Sequence, residues 1–178
     1  MGSHEVETLA SYNRFRVERI RYELPDGKTH SRDVVRHPGS VVLVPHVDEK
    51  HVCLIRNHRI VVDRTLIELP AGTREPGEDP DTTAARELIE ETGYRAKRIE
   101  RRCVFFAAPG ILDEQMILYE AFDLTSGEPQ REANEEIENL VVSWTEARAM
   151  IARCEIEDAK TLVGLMLADP QAKRSCGP

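Results

Sequence analysis

Residues 72–94, GTREPGEDPDTTAARELIEETGY, constrain the chain more than any other stretch. Asp79 suits the N-cap of a helix, because its carboxylate accepts an orphan backbone N–H. Pro80 suits the first helical position, where its missing N–H costs nothing. No breaker follows until Gly93, which stands where a left-handed C-terminal cap is wanted. The stretch predicts a helix over residues 80–92, about three and a half turns long. On a wheel of ~100° per residue, Ala85, Leu88, Ile89 and Thr92 share the arc expected to be buried. Glu87, Glu90 and Glu91 fall on the other side. Glu87 and Glu91 are four apart, and like charges at that spacing destabilise a bare helix. A hard divalent cation reverses the sign of that interaction, and magnesium takes one or two carboxylates together with substrate phosphates. Arg86 can orient a neighbouring carboxylate through a two-toothed hydrogen bond. The plain alternative is a solvated acidic helix face.

The spacing says more than an acidic run does. Gly72, five residues, Glu78, seven residues, then Arg86-Glu87-Leu88-Ile89-Glu90-Glu91-Thr92-Gly93-Tyr94 resembles the Nudix box at every specified position, with Tyr94 as the closing hydrophobic residue. The resemblance covers about residues 38–168. It implies the Nudix fold, an α/β (α+β) architecture in which an α/β/α sandwich encloses a mixed sheet. It also implies Mg2+, with Mn2+ as a second choice, held by Glu87, Glu90, Glu91 and the Ala71 carbonyl. Glu90 and Arg86 enter the catalytic set as well, and Glu78 supports them.

Composition bounds the rest. The 178 residues suffice for one good core, or for one domain with a small appendage. With 32 acidic against 24 basic residues, net −8, neither nucleic acid nor an anionic membrane is expected as a partner. No apolar run approaches a membrane span and no secretory signal is visible, so a cytoplasmic protein is expected. Cys53, Cys103, Cys154 and Cys176 show no paired spacing and read as free thiols in a reducing compartment.

Along the chain, residues 13–36 read as an antiparallel hairpin turning at Pro25-Asp26-Gly27, with too few apolar residues to be stable alone. Residues 1–37 are therefore set apart from a catalytic domain over 38–178. By resemblance to ADP-ribose-type Nudix pyrophosphatases, the hairpin is expected to pack across a homodimer and to help form the partner's site. Residues 40–45 and 51–56 are short apolar runs about a polar turn and read as a second hairpin. Arg56 and Arg59 then offer guanidinium forks suited to pyrophosphate oxygens. By resemblance Arg59 occupies the arginine of a Gln-(Tyr/His)-Arg element, whereas Asn57 departs from its glutamine.

Glu68-Leu69-Pro70-Ala71-Gly72 resembles the ADP-ribose branch of the family. Glu68 there either faces a ribose or pairs with a nearby arginine. Residues 95–102 read as a solvated edge strand or loop and 103–108 as a buried strand. Pro109, fifteen residues beyond the box, with Gly110 and the downstream Glu114, resembles the marker of ADP-ribose pyrophosphatases. That loop is implied to lie against the nucleotide-sugar. Glu114 contacts the terminal ribose, orients water, or simply caps its loop. Residues 127–138 are acidic, and the Ala-Asn-Glu-Glu-Ile pattern resembles the late loop that supplies a general base, so Glu135 or Glu136 is implied. Two helices close the chain, with Ala147, Met150, Ile151 and Cys154 inward on one and Ala159, Leu162, Val163 and Met166 inward on the other.

The reaction this implies is Mg-dependent hydrolysis of a pyrophosphate bridge in a nucleoside diphosphate sugar. ADP-ribose, giving AMP and ribose 5-phosphate, comes first. GDP-mannose, NADH, or a non-catalytic nucleotide-sensing module are the alternatives.

Overall fold

The computed structural model describes residues 4–131 and 136–171. Its strands are β1 (Glu5–Ser11), β2 (Arg16–Glu23), β3 (Thr29–Arg36), β4 (Ser40–Pro45), β5 (His51–Arg59), β6 (Arg64–Glu68), β7 (Ala71–Thr73), β8 (Arg95–Phe106), β9 (Gln115–Thr125) and β10 (Ile137–Ser143). The helices are α1 (Pro80–Thr92), α2 (Trp144–Ala152) and α3 (Ala159–Ala168). Three sheets result, in the orders β1-β2-β3, β10-β5-β6 and β7-β4-β9-β8. The last is mixed: β4 runs parallel to β9 and antiparallel to β7, and β8 closes its edge antiparallel to β9.

β4 is buried along its whole length, so it carries an unbroken apolar run in place of an alternating one. Its side chains still alternate between two cores. Val41 and Leu43 pack with Ala84 and Leu88 of α1 and with Ile117, Tyr119 and Ala121 of β9. Val42 and Val44 pack on the opposite face with Leu118, with Trp144, Ala147 and Met150 of α2, and with Leu165 and Ala168 of α3. This is an α/β/α sandwich about a mixed sheet. Among the described residues no helix is long and apolar enough to cross a membrane.

Five local expectations need correcting. β4 and β5 are not hairpin partners. They share only the His46–Val52 bridge and then part, because β4 has β7 and β9 as neighbours whereas β5 lies between β10 and β6. The N-terminal unit has three strands, since β1 adds to β2 with Glu5 opposite Arg21. Residues 95–106 form one continuous edge strand with an irregularity between Arg101 and Cys103, and Val104 and Phe106 are exposed, so 103–108 is not a buried strand. In α3 the inward residues are Lys160, Thr161, Gly164, Leu165 and Ala168, while Met166 is 66 % exposed. Thr161 Oγ1 accepts the Leu69 N–H at 2.7 Å, and a Cβ on Gly164 would lie 2.4 Å from Leu69 Cδ1. Close approach and polar bonds, not bulk hydrophobicity, set the phase of that helix. On α2, Ala147 and Met150 are buried and Cys154 beyond its end is exposed.

Candidate active site

The cap chemistry of α1 follows from its sequence. Asp79 is extended, its carboxylate accepts the Asp81 N–H, and Pro80 takes the first turn. Gly93 adopts φ 77° and donates its N–H to Ile89 O, the left-handed cap that favours glycine. The helix phase differs from the wheel, however. Ala84 is buried and Ala85 exposed, and Glu87 and Glu91 turn inward, at 8 % and 4 % exposure. The helix thus buries two carboxylates together with Leu88 and Thr92. Burying such groups without compensation costs several kcal/mol each, of order 5, so their surroundings must provide it.

Arg86 supplies part of that compensation. Its Nε and Nη2 donate to the two oxygens of Glu78 at 3.0 and 3.1 Å. Its Nη1 donates to Glu87 Oε1 and to Glu90 Oε2, both at 2.7 Å. The Arg86 fork on Glu78, joined by the Glu75 N–H, pushes the Glu78 carboxyl down to about 2, and the carboxylates around Arg86 raise its guanidinium further. Glu91 Oε2 accepts the Ala71 N–H at 2.9 Å. A Cβ on Gly72 would lie 1.9 Å from Glu87 Cδ, so only glycine leaves room there for the carboxylate. The β7 backbone and the α1 carboxylates are therefore in direct contact across Ala71-Gly72.

Among the described residues no three acidic, imidazole or thiol groups already form a metal cage. Arg86 stands among the carboxylates instead. The donor set nevertheless fits a hard cation. Three carboxylates, Glu78, Glu87 and Glu90, share one guanidinium, and a fourth, Glu91, four residues from Glu87 on the same helix face, sits against the β7 backbone, an oxygen-rich set of the kind that hard cations take.

A second ion cluster lies on the other side of Ala71-Gly72. Glu68, 1 % exposed, accepts Arg59 Nε and Nη2 at 2.8 and 2.6 Å and Lys160 Nζ at 2.6 Å. Lys160 also lies 3.0 Å from Asp158, the N-cap of α3. Burial alone would raise the Glu68 carboxyl, but the two cations more than offset it and its pKa is lowered. Glu68 therefore takes the arginine-pairing role of its two readings. Arg59, Lys160, Ala71, Gly72, Glu114 and Phe106 share the walls of a cleft of about 460 Å³.

The remaining expected residues are placed as follows. Glu114 lines the cleft and accepts the Ser40 hydroxyl at 2.6 Å, with His37 Nδ1 3.4 Å away. Arg56, three residues before Arg59 on β5, points to the other face and lies 3.7 Å from Glu138. Pro109 and Gly110 form an exposed turn outside the cleft walls. Glu136 is exposed, and its carbonyl accepts the His58 N–H at 3.4 Å. Glu135 lies outside the described residues. Sequence reasoning missed Lys160, which it placed in a core helix. The signal was available, since a lysine two residues after an N-cap aspartate, with its next neighbour inward, faces whatever lies at the helix entrance.

Comparison with known proteins gives the same picture. The model of the NUDIX domain matches residues 36–162. The chain is 39% identical over 141 residues to the ADP-ribose pyrophosphatase of Bacillus subtilis (strain 168), covering 78% of this chain and 76% of that one. It is 33% identical over 176 residues to the ADP-ribose pyrophosphatase of Mycobacterium tuberculosis (strain ATCC 25618 / H37Rv), covering 93% and 84%. It is 34% identical over 171 residues to the GDP-mannose pyrophosphatase of Cronobacter sakazakii (strain ATCC BAA-894), covering 88% and 89%. A crystal structure of an ADP compounds hydrolase superposes with a TM-score of 0.84 at 22% identity, covering 98% of this chain and 96% of that one. Members of this family generally use divalent metals. With its box intact and its fold matched, this chain belongs to the Nudix hydrolase family.

Proposed function

We propose that the protein hydrolyses the pyrophosphate bond of a nucleoside diphosphate sugar, with ADP-ribose preferred and AMP and ribose 5-phosphate as products. The observation that carries this is the paired arrangement about Ala71-Gly72. An acidic cluster suited to a cation adjoins a cleft walled by two cations suited to phosphate. Mg2+, held by Glu87, Glu90, Glu91 and the Ala71 carbonyl, would supply charge neutralisation on the phosphates and acidify the attacking water. Arg86, tied to Glu78, holds Glu87 and Glu90 in place. Arg59 and Lys160, aligned by Glu68, take phosphate oxygens, with Arg56 outside this set. Glu136 or Glu135 takes the proton of the water as its oxygen bonds to phosphorus and the bridging oxygen leaves with the other phosphate. Glu114, in the cleft wall with Ser40, meets the sugar hydroxyls, while the Pro109-Gly110 turn stays outside this set.

The unit over residues 1–37 is proposed to pair with a second copy, giving a homodimer around the catalytic domain of 38–178. In support, Val6, Leu9, Tyr12 and Phe15 of the N-terminal unit expose apolar surface among the described residues. Cys53, Cys103 and Cys154 are free thiols, in keeping with a reducing cytoplasm.

The test is a substrate panel with Mg2+: ADP-ribose, GDP-mannose and NADH, scored by released phosphomonoester. Preference for ADP-ribose is expected. Preference for GDP-mannose, which the similarity to the Cronobacter enzyme makes the second reading, would keep the metal chemistry and discard the specificity. Binding without cleavage of any of them would overturn the proposal.

A further inference from the structure

The carbonyls that end α1 are taken by the chain that leads into β10. Glu90 O accepts the Gln130 N–H at 3.0 Å, Glu91 O accepts Arg131 Nε at 3.1 Å, and Thr92 O accepts Asn139 Nδ2 at 2.8 Å. Arg131 Nη2 also donates to Asn139 Oδ1 at 2.9 Å. The two stems of the late acidic segment are thus tied to each other as well as to the helix. There is no slack at the cap, where a Cβ on Gly93 would lie 2.3 Å from Gly127 O.

Ending a helix does not require this. The Gly93 N–H already makes the left-handed cap to Ile89 O, and remaining terminal carbonyls elsewhere go to water. The extra bonds instead join two groups of residues that must act together. On one side are Glu90 and Glu91, whose own carbonyls are gripped. On the other is Glu136, whose backbone is pinned by His58 just before β10 begins. The Arg131 guanidinium also places a cation at the negative end of the helix, beside an excess of carboxylates.

We infer that Arg131 and Asn139 are positioning residues. Their clasp holds the carboxylate end of α1 in register with the chain that carries Glu136 into β10, so that a proton acceptor there meets the water at one geometry. This rests on the proposed function, in which the late segment supplies that acceptor.

The experiment uses the full chain, with Arg131→Met and Asn139→Asp as the clasp variants. Each should lower kcat about tenfold while KM moves less than about twofold, because misplacement, not substrate binding, is altered. Arg131→Lys keeps a donor toward Glu91 O but not the fork to Asn139, and should fall between. The decisive readout is a double-mutant cycle with whichever of Glu135→Gln and Glu136→Gln slows the wild type. That change should cost about a hundredfold in the intact enzyme. In the Arg131→Met background it should cost less than about tenfold, since a displaced base has less to lose. Losses that multiply in an active enzyme would overturn the clasp and leave the proposed function standing. If neither glutamine variant slows the wild type, the late segment holds no base and the inference falls with that assignment. Should Arg131→Met not fold, Asn139→Asp carries the same cycle, because it keeps the side-chain size and replaces the donor to Thr92 O with a carboxylate oxygen that this carbonyl repels.

Discussion

Two ion clusters flank the Ala71-Gly72 backbone, and they are built to opposite rules. On the α1 side, Glu78, Glu87 and Glu90 gather about one guanidinium, Arg86, and Glu91 stands beside them on the Ala71 N–H, an excess of three negative charges. On the cleft side, Glu68 and Asp158 face Arg59 and Lys160, with no excess. Each set has a buried pair at its centre, Glu87 and Glu91 in the first and Glu68 and Lys160 in the second, where solvent screens least. An excess of buried carboxylates is stable only if a further cation arrives, whereas a balanced set is complete by itself and can lend its cations to an anion. In the proposed function the first cluster is the side that takes metal and the second the side that takes substrate. The same protein needs both because a metal pyrophosphate complex has two such faces.

That division is broken most severely by Glu91→Gln, which keeps the shape and removes a proposed ligand. Turnover with Mg2+ should fall about a thousandfold, ~4 kcal/mol of transition-state stabilisation, while KM changes little. Steady-state kinetics reads this directly, and near-wild-type turnover would place the metal elsewhere. Gly72→Ala should come next. Its new methyl displaces the Glu87 carboxylate, a flexible group, so turnover should drop about a hundredfold with a modest change in Tm. A collapsed fold would show instead that the β7–α1 contact is chiefly structural.

On the balanced side the pattern should invert. Lys160→Met should raise KM for the nucleotide-sugar about tenfold with a smaller change in kcat, since it removes a phosphate partner and leaves the metal side intact. It should also cost about 3 kcal/mol of stability, because a buried pair loses one member. A drop in kcat alone would move Lys160 out of the substrate face.

The smallest expected effect concerns pH. Arg86 holds the Glu78 carboxyl at about 2, below its ordinary value of 4.5. A depressed carboxyl stabilises the fold above its unfolded pKa, and that contribution is lost as pH falls from about 4.5 toward 2. Denaturant titrations over that window should show stability falling with pH in the wild type and a shallower fall in Glu78→Gln.

How much of this was readable beforehand follows the same division. The acidic cluster lies within one local stretch, so its spacing exposed the cap at Asp79, the turn at Gly93 and the carboxylates on one helix. Even there the wheel misjudged the phase, because it assigned burial by hydrophobicity, whereas Glu87 and Glu91 go inward to meet Arg86 and the Ala71 N–H. The balanced cluster joins β5, β6 and α3, its Glu68–Lys160 pair spans 92 residues, and no local pattern links Lys160 to Glu68. The partners of β4 were hidden for a similar reason. An apolar run with both faces buried does not say which strand lies beside it, and the parallel pairing to β9 is a product of tertiary packing. Of the N-terminal strands, β2 and β3 were legible about the Pro25-Asp26-Gly27 turn and β1 was not, because its pairing to β2 rests on polar and charged partners such as Glu5 and Arg21 and not on an apolar alternation.

The most direct test of the two-sided site is a Mn2+ titration followed by electron paramagnetic resonance, which counts bound metal without requiring turnover. The account predicts that the wild type binds Mn2+ in the absence of substrate, that Glu91→Gln weakens that binding at least about tenfold, and that Lys160→Met leaves it unchanged. Equal binding by the wild type and Glu91→Gln would contradict the assignment of the α1 cluster as the metal side.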